Sequence, residues 1–207
     1  MNRHLKLLAA LAFGAMTLTA TSASAGCSRV QISGSEVMVP RGRINQKLLD
    51  AAILAEVNYE RCRHGLKALI AEPRLRSTAK GHSDWMARTS TVSHRSSTTP
   101  TQRLKRSGVK FRNGGENISM LHYYQIDNQM FIIRDAASCN FKRPSGAAVT
   151  PHSYHSLARS AVAYWMASKG HRANILNRKV RMMGSAGALD KSAQHCGTVY
   201  LTQNFAG

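Results

Sequence analysis

Apolar residues recur at helical intervals in the first half of the chain. After Asn45, which is placed to cap a helix, apolar side chains return every three or four residues and Gly65 interrupts the pattern; they are Leu49, Ala52, Ile53 and Val57. The segment PRLRSTAKGHSDWMART, which begins at Pro73, predicts a second helix with the same spacing. Thr99 followed by Pro100 predicts a third, short helix that extends to Gly108.

The second half of the chain changes to shorter patterns. GGENISML predicts a glycine turn followed by a strand, and LARSAVAYWMASK predicts a helix that Ser156 caps and Gly170 ends. Two further strands are predicted over 183–189 and 198–205. Helices followed by antiparallel strands predict an α+β fold.

Residues 122–155 have no clean period and therefore form the least predictable part of the chain. This segment contains His122, His152 and His155, and its length favours an insertion in the domain. We interpret it as a hairpin followed by a long loop that a disulfide through Cys139 holds in place. Long loops in compact domains are usually functional or disordered.

The N-terminus has the order of segments that is typical of a secretory signal peptide. A basic start, an apolar stretch and the small residues ASA at 23–25 predict cleavage after Ala25. The apolar stretch is too short to span a membrane, and no later segment is long enough. We therefore expect an N-terminal arm over 26–45 and one domain over 46–207, without a transmembrane segment.

Four cysteines remain after this cleavage site: Cys27, Cys62, Cys139 and Cys196. An even number in an exported chain, without a C-x-x-C spacing, favours two disulfides over a metal site. Sequence allows three pairings, of which we prefer Cys27–Cys62 and Cys139–Cys196. A rival interpretation makes Cys27 a lipidated N-terminus. Ser24 stands where such a signal usually has a larger apolar residue, and lipidation would leave an odd cysteine.

Charge narrows the possible partners. The chain has 29 Lys and Arg residues against 10 Asp and Glu, a net charge of +19 at pH 7. A field of this sign attracts the protein to anionic lipid headgroups, acidic polysaccharide or extracellular nucleic acid, although part of the charge can simply keep the protein soluble. We expect no specific nucleic-acid binding, because the sequence has neither an aromatic platform nor a recognition-helix pattern.

Five motifs together resemble one protein family. AKGHSDWMARTSTVSH, GENIS, YWMASKGHRANIL, MGSAGA and YLTQNF occur in the order and rough spacing of the CAP superfamily, whose bacterial form is called the SCP domain. The resemblance covers about residues 46–207. It implies an α–β–α sandwich, in which helices flank a central antiparallel sheet, with a solvent-filled cleft.

The resemblance also implies which residues line that cleft. The family's two cleft histidines correspond to His94 and His171, and the acid of its GEN turn corresponds to Glu116. The second acid of the family usually stands three residues after the helical tryptophan, where this chain has Ser168. Arg172 could hold an anionic headgroup, although a cation in the last turn of a helix also complements the helix dipole.

Three interpretations of this cleft remain open. The two histidines and Glu116 could hold Zn²⁺, Glu116 could act as a base on bound water, or the three side chains could only bond to one another. The leading hypothesis is a secreted or periplasmic binding protein for a lipid or an anionic envelope component, in peripheral contact with the membrane and with a possible divalent metal. The alternative is a zinc-assisted hydrolase of the peptidase type. The sequence does not indicate an oligomeric state.

Overall fold

The computed structural model describes residues 26–207, which form five helices and six strands. The predicted signal peptide lies outside these residues. The helices are α1 (Gln46–Arg63), α2 (Pro73–Thr89), α3 (Pro100–Arg106), α4 (Tyr154–Ala167) and α5 (Lys169–Ile175). The strands are β1 (Ile70–Ala71), β2 (Gly114–His122), β3 (Ile132–Asp135), β4 (Asn140–Lys142), β5 (Met182–Asp190) and β6 (Thr198–Ala206).

The central sheet has the strand order β1-β5-β6-β2. Its three long strands are antiparallel, with β6 between β5 and β2, and the two-residue β1 joins the edge of β5 in parallel. Strands β3 and β4 form a separate hairpin. The predicted α–β–α sandwich with a central antiparallel sheet is therefore confirmed, and β1 is a small parallel addition to it.

Strand β6 shows why the sheet has helices on both faces, because every one of its residues is buried. Leu201 and Phe205 belong to the large apolar cluster that includes α1 and α4, whereas Tyr200 packs with Met86 of α2. On the α2 side the contact is close at Gly184, where an added Cβ would lie 2.2 Å from the backbone nitrogen of Arg76. Only glycine allows the helix backbone to approach β5 this closely.

Beyond the end of β1, side chains of α1 form hydrogen bonds with the backbone groups on the outer edge of β5. Gln46 accepts a hydrogen bond from the Gly187 amide at 3.0 Å and donates to the Gly187 carbonyl at 2.9 Å. One turn later, Asp50 accepts from the Ser185 amide at 2.7 Å. Burial raises the pKa of Asp50 to about 6, although hydrogen bonds from Ser185 and Arg76 act in the opposite direction. Side-chain groups thus take the place that a longer β1 would occupy along this edge.

Two boundaries around α4 differ from the prediction. Ser153 caps the helix, and Ser156 is its partner in a reciprocal capping box, so α4 begins earlier than expected. At its other end, Ser168 has an extended backbone (φ −88°, ψ 127°), and Gly170 lies inside α5. The prediction that Gly170 ends the helix is therefore wrong. The interruption needs no positive φ, so a serine can make it.

Residues 122–155 contain the predicted hairpin, β3–β4, and also a small apolar core that was not predicted. Ile126, Phe141 and Val149 form that core, and the Cys139–Cys196 disulfide joins the hairpin to the turn that precedes β6. The second disulfide, Cys27–Cys62, ties the N-terminal arm to α1. Both preferred pairings are confirmed. Among the described helices, none combines the length and the apolar character that a membrane span requires.

His152 is a buried histidine at the point where the insertion returns to the domain. Only 3% of the residue is exposed, its Nδ1 lies 2.9 Å from the Ser156 hydroxyl, and its Nε2 has no partner among the described residues. Burial lowers the pKa of His152 to about 4. Because this value is below the pKa of the unfolded chain, the neutral ring stabilises the fold above about pH 6.5, and this contribution is lost as the pH falls toward 4.

We therefore expect His152→Asn to make the protein less sensitive to acid. Between about pH 7 and about pH 5, the free energy of unfolding should fall by roughly 2 kcal/mol less in the variant than in the wild type. Urea unfolding followed by circular dichroism at the two pH values measures this difference. His155→Asn removes a partly exposed imidazole from the first turn of the same helix and serves as the matched control. Equal acid sensitivity of the wild type and His152→Asn would contradict the assignment.

Candidate functional site

Glu116 is the buried centre of the candidate site. It lies on β2 opposite Asn204 of β6, and 1% of its side chain is exposed. Arg103 of α3 donates to both carboxylate oxygens through Nη2, at 2.7 Å each, and to Oε2 through Nε at 3.2 Å. Nδ1 of His94 lies 2.9 Å from Oε1. The carboxylate therefore has a cation on one side and an imidazole on the other.

Arg103 also organises the loop that carries His94. Its Nη2 donates to the His94 carbonyl at 2.8 Å, and its Nη1 donates to the Thr98 carbonyl at 2.8 Å. One guanidinium thus fixes the loop, α3 and the sheet relative to one another. Sequence analysis missed this residue, because nothing in PTQRLKRSG distinguishes Arg103 from the neighbouring cations Lys105 and Arg106. Only its burial in the fold separates it from them.

The ring of His94 has a defined orientation and a free nitrogen. A carboxylate can only accept a hydrogen bond, so Nδ1 of His94 donates to Glu116 and the neutral ring carries its lone pair on Nε2. The side chain is 46% exposed, which leaves it accessible to solvent. This arrangement resembles the outer-shell carboxylates that orient histidine ligands of metals.

His171 faces His94 from α5. The two ring centroids are 6.3 Å apart, with the planes tilted by 52°. Nδ1 of His171 is buried without a partner among the described residues. Burial lowers the pKa of His171, and the nearby His94 lowers it further, so the neutral form of this ring is favoured. We call His94, Glu116 and His171 the histidine site.

An amide network positions the helix that carries His171. Nδ2 of Asn117, a fully buried residue, donates to the His171 carbonyl at 3.2 Å and to Gln203 at 3.1 Å. Asn174 donates to the side chain of Asn117 at 2.9 Å and to the Glu116 carbonyl at 3.2 Å. His171 is therefore held by the strand that carries Glu116. The network was not predicted, although Asn117 and Asn174 stand directly within the GEN and GHRAN motifs.

The other predicted residues around His171 have simpler positions. Ser168 joins α4 to α5, and its side chain makes no capping hydrogen bond. Arg172 is exposed, and its Nη1 donates to the Met166 carbonyl at 3.1 Å. This carbonyl lies near the C-terminal end of α4, so the contact agrees with the helix-dipole interpretation. Trp165 is fully buried, whereas Tyr164 is 48% exposed with its ring centroid 6.3 Å from that of His171.

His82 completes the surroundings of the buried carboxylate. It is 2% exposed, its Nε2 lies 2.9 Å from the Ser93 carbonyl, and its ring stacks on Trp85 at 5.5 Å. Burial lowers the pKa of His82, partly against the nearby Glu116 charge. His82 is thus a buried, hydrogen-bonded histidine.

The donor set limits which zinc chemistry the histidine site can support. Nε2 of His94 and the ring of His171 are suitable ligands for Zn²⁺, which would act there as a Lewis acid. Glu116 does not fit as a further ligand, because His94 and Arg103 occupy both of its oxygens. Residues 26–207 also contain no group of three His, Cys, Asp or Glu side chains that could hold a metal together. Zinc would thus have two protein ligands and take the others from solvent or a bound molecule.

Comparisons with known proteins agree with this architecture. The sequence model of the cysteine-rich secretory protein family, named CAP, matches residues 54–205. A solved structure of an extracellular protein containing a SCP domain, from Bacillus anthracis, is 25% identical with a TM-score of 0.51. The similarity covers 78% of this chain but 41% of that protein, so the chain spans less than half of it.

A second solved structure shows the same fold at lower identity. An outer surface protein from Borrelia burgdorferi is 16% identical with a TM-score of 0.52, over 79% of this chain and 96% of its own. At this identity the similarity concerns the fold alone. The sequence has no significant match among curated proteins.

We expect the ion pair between Glu116 and Arg103 to be a strongly coupled structural unit. Arg103→Met leaves a buried carboxylate without its cation and should lower the free energy of unfolding by about 3–5 kcal/mol. Because Arg103→Met/Glu116→Gln removes both charges, the double variant should lose less than the sum of the two single losses. Urea unfolding of all four proteins gives the coupling energy. Strictly additive losses would show that the pair is not coupled.

Proposed function

Because the chain belongs to the cysteine-rich secretory protein family, CAP, we propose that it is a binding protein that works outside the cytoplasm. Its ligand is an anionic or amphipathic envelope component, held at the histidine site, where a divalent cation can join it. The extracellular and outer-surface relatives support this location, and so do two disulfides in the described chain, which persist in oxidising compartments.

The observation that carries this proposal is that the carboxylate of Glu116 is already bonded to other side chains. Its carboxylate is buried and bonded to Arg103 and His94, so its role is to orient an imidazole. The exposed ring of His94 and the facing ring of His171 are then the groups available to a ligand. Neutral imidazoles can donate or accept hydrogen bonds or coordinate a metal, which suits a binding role.

The charges next to the two histidines favour an anionic ligand. Arg95 follows His94 in the sequence, and Lys169 and Arg172 lie within two residues of His171. All three cations are exposed, and none of them forms a salt bridge with another described residue. The negative charge of Glu116 is compensated by Arg103, so the surroundings of the site remain positive.

The same geometry disfavours the alternative of a zinc-assisted hydrolase in which Glu116 activates water. A general base must reach the water molecule and accept its proton, with a carboxylate that is free to do so. The Glu116 side chain is 1% exposed, and both of its oxygens already accept charge-assisted hydrogen bonds. Peptide hydrolysis by the wild type that disappears in His94→Ala/His171→Ala would nevertheless favour the hydrolase.

We expect the histidine site to account for one equivalent of bound Zn²⁺. In isothermal titration calorimetry, His94→Ala/His171→Ala should lose one zinc equivalent relative to the wild type, because both of its protein ligands are removed. His155→Ala removes a partly exposed imidazole elsewhere and should retain the wild-type stoichiometry. Equal zinc uptake by the wild type and the double variant would rule out a metal at this site.

We also expect the protein to bind anionic vesicles in a salt-dependent manner. Each basic residue near an anionic surface contributes about 1 kcal/mol, so Arg95→Gln/Lys169→Gln/Arg172→Gln should lower the partition coefficient at least ~10-fold. Cosedimentation with phosphatidylglycerol vesicles, at low and high salt, measures this effect. Phosphatidylcholine vesicles provide the uncharged comparison.

A second triple variant separates local recognition from net charge. Lys47→Gln/Arg134→Gln/Lys191→Gln removes the same charge at exposed positions distant in sequence from both histidines. If the two triple variants lose affinity equally, the attraction is nonspecific and the histidine site is not the binding surface. If neither the wild type nor its variants bind vesicles at low salt, a lipid headgroup is not the ligand.

A further inference from the structure

A second pair of histidines lies outside the histidine site, where the insertion meets the turn before β6. His122 is the last residue of β2, and His195 precedes Cys196 in the turn between β5 and β6. Their ring centroids are 5.3 Å apart and their planes cross at 64°. Asp127 lies beside His122. The function proposed above uses none of these three residues. We call His122 and His195 the second histidine pair.

Asp127 fixes the orientation of His122. One carboxylate oxygen lies 2.7 Å from Nδ1 of His122, and the other accepts from the His122 backbone amide at 3.0 Å. Because the carboxylate accepts a hydrogen bond from Nδ1–H, the neutral ring presents the lone pair of Nε2. The His122 side chain is 36% exposed, so a small solute can reach it.

Aromatic packing and the disulfide of the next residue, Cys196, hold His195 in place. Phe131 and Phe141 each pack edge to face with its ring, with centroids at 5.3 and 6.2 Å. His195 and Cys196 both have positive φ angles, 54° and 68°, which non-glycine residues adopt at an energetic cost. The disulfide to Cys139 and a hydrogen bond from Arg41 to the Cys196 carbonyl maintain this backbone.

One ring nitrogen of His195 has no partner to explain its burial. Nδ1 of His195 is buried and unbonded among the described residues. A buried polar atom without a hydrogen bond indicates a water molecule, an ion or a functional role. Here the atom belongs to an imidazole that faces a second, oriented imidazole.

We propose that His122 and His195 form a binding site for a divalent transition metal, with Asp127 as the positioning residue for His122. Metal–nitrogen bonds of about 2.0–2.1 Å place the centres of two imidazoles around a tetrahedral ion roughly 5 Å apart. The observed 5.3 Å between the ring centroids agrees with this geometry. Asp127 forms a salt-bridge contact with His122 and with no Lys or Arg of the described chain, so its negative charge also favours a cation.

Two imidazoles determine the class of metal. Imidazole suits Cu²⁺, Zn²⁺ and Ni²⁺, and Cu²⁺ has the highest affinity of the divalent first-row metals. Since no third His, Cys, Asp or Glu completes a metal-binding group within residues 26–207, solvent would supply the remaining ligands. The site is therefore open and exchangeable, and we expect Cu²⁺ to bind more tightly than Zn²⁺.

The test uses Cu²⁺ alone as the probe, in the full mature chain with His94→Ala/His171→Ala as background. Because this background lacks both histidines of the histidine site, the result is independent of the function proposed above. We expect one Cu²⁺ per chain by calorimetry with glycine as competitor, and an electron paramagnetic resonance spectrum with nitrogen hyperfine structure from imidazole. His122→Gln in this background should lower the affinity at least tenfold. Asp127→Asn should lower it about 10–100-fold, because an outer-shell carboxylate is removed.

Matched controls keep the proposal falsifiable. His155→Gln should leave the affinity unchanged, and His195→Asn tests the second ligand with a residue that tolerates positive φ. Circular dichroism and thermal melting verify that each variant is folded. The proposal is overturned if the background protein binds no Cu²⁺, or if His122→Gln and His195→Asn bind it as tightly as the background. Unchanged affinity in Asp127→Asn overturns the positioning role of that residue.

Discussion

The buried ion pair between Glu116 and Arg103 is the constraint on which the histidine site depends. Removing a carboxylate from water is costly unless a cation and hydrogen bonds compensate it. Arg103 supplies both, and its remaining donors bind the carbonyls of the loop that presents His94. The central sheet therefore determines where His94 lies, through one carboxylate and one guanidinium. Without this pair, the loop would have no polar connection of comparable strength to β2.

The sequence predicted the framework of this fold better than the details of its site. Helical periodicity located α1, α2 and α3 with their caps Asn45 and Thr99, because these signals are local. The resemblance to CAP proteins identified three residues that the structure brings together. Arg103 was missed because its role comes from burial, and burial depends on tertiary packing that no local pattern encodes. The open edge of β5 was missed for the same reason, since Gln46 reaches it from a distant helix.

The helix is interrupted at Ser168 and not, as predicted, at Gly170, and this has a physical consequence for His171. A glycine that ended the helix would have placed the ring in a loop, where its position would depend on few contacts. Ser168 instead interrupts the helix with extended backbone, and His171 lies in a new helical turn. Asn117 and Asn174 connect that turn to β2. Contacts to the same strand, β2, thus determine the positions of both imidazoles of the site.

The two histidine pairs share one construction but differ in charge, and the difference separates their ligands. In each pair a carboxylate orients one imidazole toward another. Arg103 neutralises Glu116, and exposed cations follow the histidines in sequence, which is why we propose an anion, alone or with a metal, as the ligand of the histidine site. Asp127 pairs with no Lys or Arg of residues 26–207, so a negative charge remains beside His122, which is why we propose a metal ion alone for the second histidine pair. The two proposed ligands thus differ although the local geometry is similar, because only Glu116 has a cation beside it that compensates its charge.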